Sequence, residues 1–250
     1  MPLLEAKDLV KRFGGLVAVD GVSLEVQPNS VTAIIGPNGA GKSTFFKMLA
    51  GELHPDAGQI FFKGEDITRR GVTAVAQLGI SKSYQITQIF PKLSVEANLT
   101  IPALARRRGP FQADCFRNIR SVAGVDEIVR RVMRQVGLDA RAAVRADELS
   151  YGEKRRLEFG LALATEPELL LLDEPSAGMS PTETQDTVAL LRELRSAATI
   201  VIVEHDMDVV FGLADRIIVL QDGRIIASGS AEQIRGDPRV QEAYLGDVVV

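Results

Sequence analysis

Val31-Thr32-Ala33-Ile34-Ile35-Gly36-Pro37-Asn38-Gly39-Ala40-Gly41-Lys42-Ser43-Thr44 runs from β-forming residues through a glycine-rich loop into a helical stretch. Residues Gly36 to Ser43 fit G-x-x-x-x-G-K-[ST], the phosphate-binding loop, with the strand before it and the helix after it that this loop requires. The chemistry explains the spacing. A triphosphate tail is a dense anion, and successive backbone N–H groups wrap it only where no Cβ blocks their approach. A helix opening at Lys42 turns its unsatisfied N–H groups and the positive end of its dipole toward the phosphates. The pattern assigns Lys42 to the outer phosphates and the Ser43 hydroxyl to Mg²⁺. Gly36, Pro37, Asn38, Gly39, Ala40, Gly41 and Thr44 complete the cradle. The competing reading is a glycine-rich turn before a helix. The loop implies triphosphate binding and leaves open what the energy is used for.

A chain of 250 residues can bury one large domain, or one domain with an insertion. With 29 basic against 33 acidic residues, no whole-molecule field points to nucleic acid. The single cysteine, Cys115, excludes an internal disulfide framework, suits a reducing compartment, and reads as a small helix residue rather than a reactive thiol. The start, Met1-Pro2-Leu3-Leu4-Glu5-Ala6-Lys7-Asp8, meets charge too early for a signal peptide, and no apolar run approaches the roughly 18 residues of a membrane span. These features predict a cytoplasmic chain whose membrane role, if any, comes through a partner.

Strand signals cover Leu3–Val10, Val19–Val26, Val31–Ile35, Gln59–Phe62 and Gly79–Tyr84, with a helix from Lys42 to Ala50. Between Ile86 and Thr165 strand signals thin out, and helices are predicted over Val95–Arg106, Cys115–Val136 and Glu153–Ala164. Arginines in that stretch (Arg106, Arg107, Arg108, Arg130, Arg131, Arg134) read as a solvated helix face, with an anion-binding patch as the alternative. After Pro167 the α/β alternation resumes: strand Leu169–Leu172, helix Thr182–Arg195, strand Thr199–Val203, helix Met207–Ala214 and strand Arg216–Leu220. A tight turn at Gln221-Asp222-Gly223-Arg224 joins a hairpin to Ile225–Ala227.

Leu169-Leu170-Leu171-Leu172-Asp173-Glu174-Pro175 is an apolar strand ending in two carboxylates. Ligands of open α/β sheets gather at the carboxyl ends of strands. There Asp173 would hold Mg²⁺, directly or through its water, and Glu174 would act as base or orienting group for the attacking water. The plain alternative is a strand ending in solvated acids. Leu149-Ser150-Tyr151-Gly152-Glu153 precedes a helix, with Ser150 as N-cap and Glu153 completing a capping box. A helix N-terminus bearing Ser and Gly is also a second anion site.

Taken in order, the phosphate loop, Leu149-Ser150-Tyr151-Gly152-Glu153, Leu172-Asp173-Glu174-Pro175 and Glu204-His205-Asp206 resemble an ATP-binding-cassette (ABC) ATPase over about Leu4 to Gly246. The family signature is most often Leu-Ser-Gly-Gly-Gln, so Tyr151 and Glu153 depart from it, while Ser150 and Gly152, the positions that touch phosphate, are intact. The resemblance implies an α/β phosphate-loop NTPase cassette. Its RecA-like parallel-sheet core would span 1–85 and 166–250, with an N-terminal antiparallel β-subdomain. A helical subdomain, 86–165, would be inserted and carry the signature. It further implies that Phe13 stacks on adenine, that Gln85 senses Mg²⁺ and the attacking water, and that His205 is the switch near the γ-phosphate. Ser176-Ala177-Gly178-Met179 would contact an opposing subunit. His54 reads as loop. In the family, Ser150, Gly152 and Glu153 of one subunit close over the ATP held by Lys42 of another, so a head-to-tail dimer is implied.

Several subclasses are disfavoured. The sequence is expected to be a separate subunit without a fused membrane segment, a regulatory domain after Tyr244-Leu245-Gly246, a long coiled-coil insertion or a second cassette. Gly79-Ile80-Ser81-Lys82-Ser83-Tyr84-Gln85, Ile89-Phe90-Pro91-Lys92-Leu93-Ser94-Val95, Ser176-Ala177-Gly178-Met179-Ser180-Pro181 and the Tyr-Leu-Gly ending look like segments of branched-chain amino-acid importer cassettes. Urea and short-amide importers, lipopolysaccharide-extraction cassettes and non-transport ABC ATPases stay open as alternatives. The resemblance implies multispanning membrane subunits, a second cassette (identical or a sister), and indirectly a solute-binding protein as partners. It places the chain at the inner face of the membrane, with no nucleic acid.

Overall fold

The computed structural model of the chain describes residues 1–83, 89–108, 124–195 and 197–245. The chain forms two compact units, Met1–Val75 with Leu171–Val250, and Ala76–Leu170. In the first, strands β1 (Leu4–Phe13) and β2 (Leu16–Val26) pair antiparallel as a hairpin. Next come β3 (Val31–Ile35), α1 (Lys42–Leu49), β4 (Ala57–Phe62) and β5 (Glu65–Asp66), and a four-stranded sheet has the order β2-β1-β4-β5. The chain passes to the second unit within α2 (Val72–Leu78).

That unit holds β6 (Ile80–Ser83), α3 (Val95–Arg108), α4 (Val125–Gln135) and α5 (Tyr151–Leu163), and its three long helices pack on one another. A Cβ built on Gly160 would lie 2.9 Å from the Leu99 side chain and 3.5 Å from that of Val132, so a glycine there lets α5 sit close to α3 and α4. Asn98, fully buried on α3, fixes the preceding loop. Its Nδ2 donates to the carbonyls of Phe90 (3.1 Å), Leu93 (3.2 Å) and Ser94 (2.9 Å), and its Oδ1 accepts from the Phe90 N–H (2.8 Å). A buried amide is tolerated because its donors and acceptor are matched in this way.

The chain re-enters the first unit through β7 (Leu169–Asp173), followed by α6 (Pro181–Leu194), β8 (Thr199–Val203), α7 (Met207–Leu213), β9 (Arg216–Gln221) and β10 (Arg224–Gly229). Two short helices, α8 (Ala231–Arg235) and α9 (Pro238–Leu245), follow. The larger sheet runs β10-β9-β3-β8-β7 through this unit, with β3 parallel to both β8 and β9. Every residue of β3 and β8 is buried, as expected of parallel strands covered on both faces. Asp222 and Gly223, with φ of 50° and 77°, form the two-residue turn between β9 and β10, and such turns require positive φ at both positions.

The helix expected over Cys115–Val136 begins instead at Val125. Gly124, at φ 86°, occupies its N-cap in a left-handed conformation that a helix cannot continue through, and Cys115 itself lies outside the described residues. The short β5, α2, α8 and α9 were not expected from the sequence. Among the described residues no helix is long and apolar enough to cross a membrane.

Candidate functional site

Three chain segments of the first unit reach one level at the carboxyl ends of its parallel strands. Ile34 of β3 is in register with Val203 of β8, which brings the loop beginning at Gly36 beside Glu204 and His205. The Glu174 N–H donates to the Val203 carbonyl (2.8 Å), which sets the end of β7 at the same height. The central strands are held by burial: Leu169 to Leu172 and Ile200 to Ile202 have no exposed surface.

The loop itself is shaped by contacts that only glycine permits. A Cβ at Gly36 would lie 2.0 Å from the Leu220 carbonyl oxygen, and one at Gly41 would lie 2.2 Å from that of Ala18. Gly36, Gly39 and Gly41 have φ of 148°, 80° and 95°. Pro37, Asn38 and Ala40 complete the turn, in which the Ala40 N–H donates to the Pro37 carbonyl (3.2 Å). The β9–β10 turn braces the far side: the Gly223 N–H donates to the Ala40 carbonyl (3.1 Å), and the Gly223 carbonyl accepts from the Asp20 N–H (2.8 Å). This support was not legible in the sequence, where Gly223 signals only a hairpin turn.

Helix α1 starts at Lys42 behind Gly41 and has no side-chain cap and no acidic residue in its first turn. The helices after β7 and β8 differ, since Ser180 caps α6 and Asp206 caps α7. Phe45 and Phe46, both fully buried, anchor α1. The Lys42 ammonium donates to the carbonyls of Gly36 (2.6 Å) and Pro37 (2.8 Å), which holds a cation at the loop mouth. Ser43 is exposed and Thr44 half-buried.

Asp173 and Glu174 are half-buried at the end of β7. Glu174 has φ 47°, a left-handed conformation that costs a non-glycine residue on the order of 1 kcal/mol and recurs at functional sites. His205 leaves 64% of its side chain exposed, whereas Glu204 is fully buried. Phe13 ends β1 with half of its surface exposed, and the Lys11 ammonium lies 5.8 Å from the ring centroid. The Asp56 carboxylate holds that ammonium at 2.8 Å. Gln85 lies outside the described residues.

Ser150, Gly152 and Glu153 belong to the second unit. The capping box forms as expected. The Ser150 Oγ accepts from the Glu153 N–H (3.3 Å), and the Glu153 carboxylate accepts from the Ser150 N–H (2.9 Å) and from the Arg141 guanidinium (2.9 Å). The Ser150 backbone N–H, then the Ser150 side chain and Arg141, hold the Glu153 carboxyl below its ordinary range against the opposing effect of burial. A Cβ at Gly152 would meet nothing within 4 Å, so the chain's own packing gives no reason for a glycine there.

The sequence pattern of the family described as "ABC transporter" matches residues 19–177. The chain belongs to the ABC transporter family. It is an ATP-binding cassette, and a second pattern, "Branched-chain amino acid ATP-binding cassette transporter", matches residues 224–250. The high-affinity branched-chain amino acid transport ATP-binding protein LivG of Escherichia coli is 38% identical over 253 residues, covering 98% of each chain. Its counterpart BraF of Pseudomonas aeruginosa is 39% identical over 251 residues, again with 98% of each covered. The crystal structure of the ADP conformation of an ABC transporter cassette superposes with a TM-score of 0.85 at 33% identity, over 98% of this chain and 99% of that one. The α/β cassette fold, with its antiparallel N-terminal sheet and helical segment, is the one that the sequence indicates.

Proposed function

We propose that the cassette hydrolyses ATP to energise uptake of branched-chain amino acids through separate membrane subunits. The observation that carries the chemistry is the common level of the phosphate loop, the Asp173–Glu174 pair and His205 at the carboxyl ends of neighbouring strands. In this reading the loop N–H groups and Lys42 bind the phosphates, and Phe13 takes the adenine on its exposed face. Glu174 orients or deprotonates the attacking water, and His205 senses the γ-phosphate. The donor set fits Mg²⁺: Ser43 and Asp173 offer hard oxygen ligands, with Gln85 as the resemblance's third. Among the described residues no group of three or more His, Cys, Asp or Glu is placed to hold a metal by itself. Mg²⁺ characteristically uses one or two protein oxygens and takes the rest from phosphate and water, where it neutralises charge developing on the phosphates.

Ser150, Gly152 and Glu153 close the site from a second cassette in this reading, which accounts for the open space at Gly152. The helical unit carries a cavity of about 570 Å³ bordered by Phe90, Ile101, Pro102 and Leu161. With Phe90 and Ile101 exposed, it supports docking of a membrane subunit, which would hold the chain at the inner face of the membrane and link it indirectly to a solute-binding protein. The full-length likeness to LivG and BraF supports the amino-acid substrate. The test is reconstitution of the cassette with the membrane and binding subunits of a branched-chain amino-acid importer. Leucine, isoleucine or valine should stimulate ATP hydrolysis and enter vesicles. Stimulation by urea or short amides alone, or by lipopolysaccharide, contradicts the assignment.

A further inference from the structure

Among the described residues, Glu204 is the only charged residue that is fully buried. Such a carboxylate is costly unless its oxygens are hydrogen-bonded, and here each oxygen serves a different loop. Oε1 accepts from the Ser176 N–H (2.9 Å) and from the Ser176 hydroxyl. Oε2 accepts from the N–H groups of His205 (2.9 Å) and Asp206 (3.3 Å). The start of α7 does not need this carboxylate as a cap, because Asp206 already caps that helix by accepting from Asp208 and Val209. The loop at Ser176 is tied internally as well. The Ala177 N–H donates to the Glu174 carbonyl (3.1 Å) and the Met179 N–H to the Ser176 carbonyl (3.2 Å). Wherever Ser176 is held, its neighbours follow.

We infer that Glu204 is a positioning residue that locks the loop from Glu174 to Met179 to the loop bearing His205, so that a shift of either on nucleotide binding or phosphate release carries the other. The inference rests on the roles proposed for Glu174 and His205. Two variants test it. Glu204→Gln keeps the shape but sets an amide N–H₂ against a backbone donor, and Ser176→Ala removes one donor of four while leaving the carboxylate paired. Expected are losses in kcat of about tenfold or more for both Glu204→Gln and Ser176→Ala, in line with the usual cost of a lost hydrogen bond to a charged group. The KM for ATP should stay within about twofold, because neither group contacts nucleotide. ATP should slow amide exchange at 176–179 in the wild type, and Ser176→Ala should lose that response while α1 keeps its own. An unchanged kcat in Ser176→Ala, a loss that tracks ATP affinity, or an unaltered ATP response at 176–179 overturns the coupling. If Glu204→Gln does not fold, Ser176→Ala decides. Glu174→Gln run alongside separates the two ideas. Full hydrolysis in that variant defeats the reading of the site, whereas its inactivity beside a fully active Ser176→Ala defeats the coupling alone.

Discussion

Built Cβ atoms at Gly36 and Gly41 overlap backbone carbonyls that belong to β9 and β2, so neither clash can be relieved by turning a side chain. Gly36→Ala and Gly41→Ala are each expected to lower stability by about 1–3 kcal/mol. Both should also weaken ATP binding more than tenfold, because the loop must move to admit the methyl group and its N–H groups then no longer converge. Thermal unfolding and an ATP titration check both effects, and Gly152→Ala serves as the contrast. No atom lies within 4 Å of its added Cβ, so its fold and monomer affinity should be unchanged. The spacing of the loop glycines was legible in the sequence because local backbone chemistry dictates it. Their long-range reason, a carbonyl from β9 and another from β2, depends on pairings the sequence does not display.

Helix α5 draws its N-terminal stability from a charge. The Glu153 carboxyl is held low in the folded chain, so the favourable contribution exists above the ordinary glutamate value of 4.5 and is lost as the pH falls through the depressed folded value. The stability difference between the wild type and Glu153→Ala should be largest near neutrality and should vanish in acid below that range. A constant difference across a pH series of denaturant unfolding curves would contradict the capping account. This cap was legible because Ser150 and Glu153 lie three residues apart. Buried β3 and β8 were equally legible, since both are short apolar runs rich in β-branched residues, β3 between Pro28-Asn29 and Gly36-Pro37 and β8 ending at the charged Glu204. By contrast, β5 has two residues and α2 and α8 fewer than two turns, too short for a periodic pattern to register. The start of α4 was misread because the apolar spacing past Gly124 masked a residue that had to be left-handed.

Across the molecule, the phosphate loop, the Asp173–Glu174 pair and His205 fall in the first unit, and Ser150, Gly152 and Glu153 in the second. The phosphate loop and the paired acids were readable as chemistry from sequence pattern alone. Glu204 was visible only as a neighbour of His205, because its partner Ser176 lies 28 residues away and only the β7–β8 neighbourhood brings them together. The central claim is that one chain binds ATP but two are needed to enclose it. Sedimentation of Glu174→Gln and of Glu174→Gln/Ser150→Arg, each with saturating ATP and Mg²⁺, tests that claim most directly. The account predicts that the single variant sediments as a dimer, twice 27.1 kDa, and that the double variant stays monomeric with ATP affinity within about twofold. A single variant that remains monomeric, or a Ser150→Arg change that weakens ATP binding to the monomer itself, would contradict it.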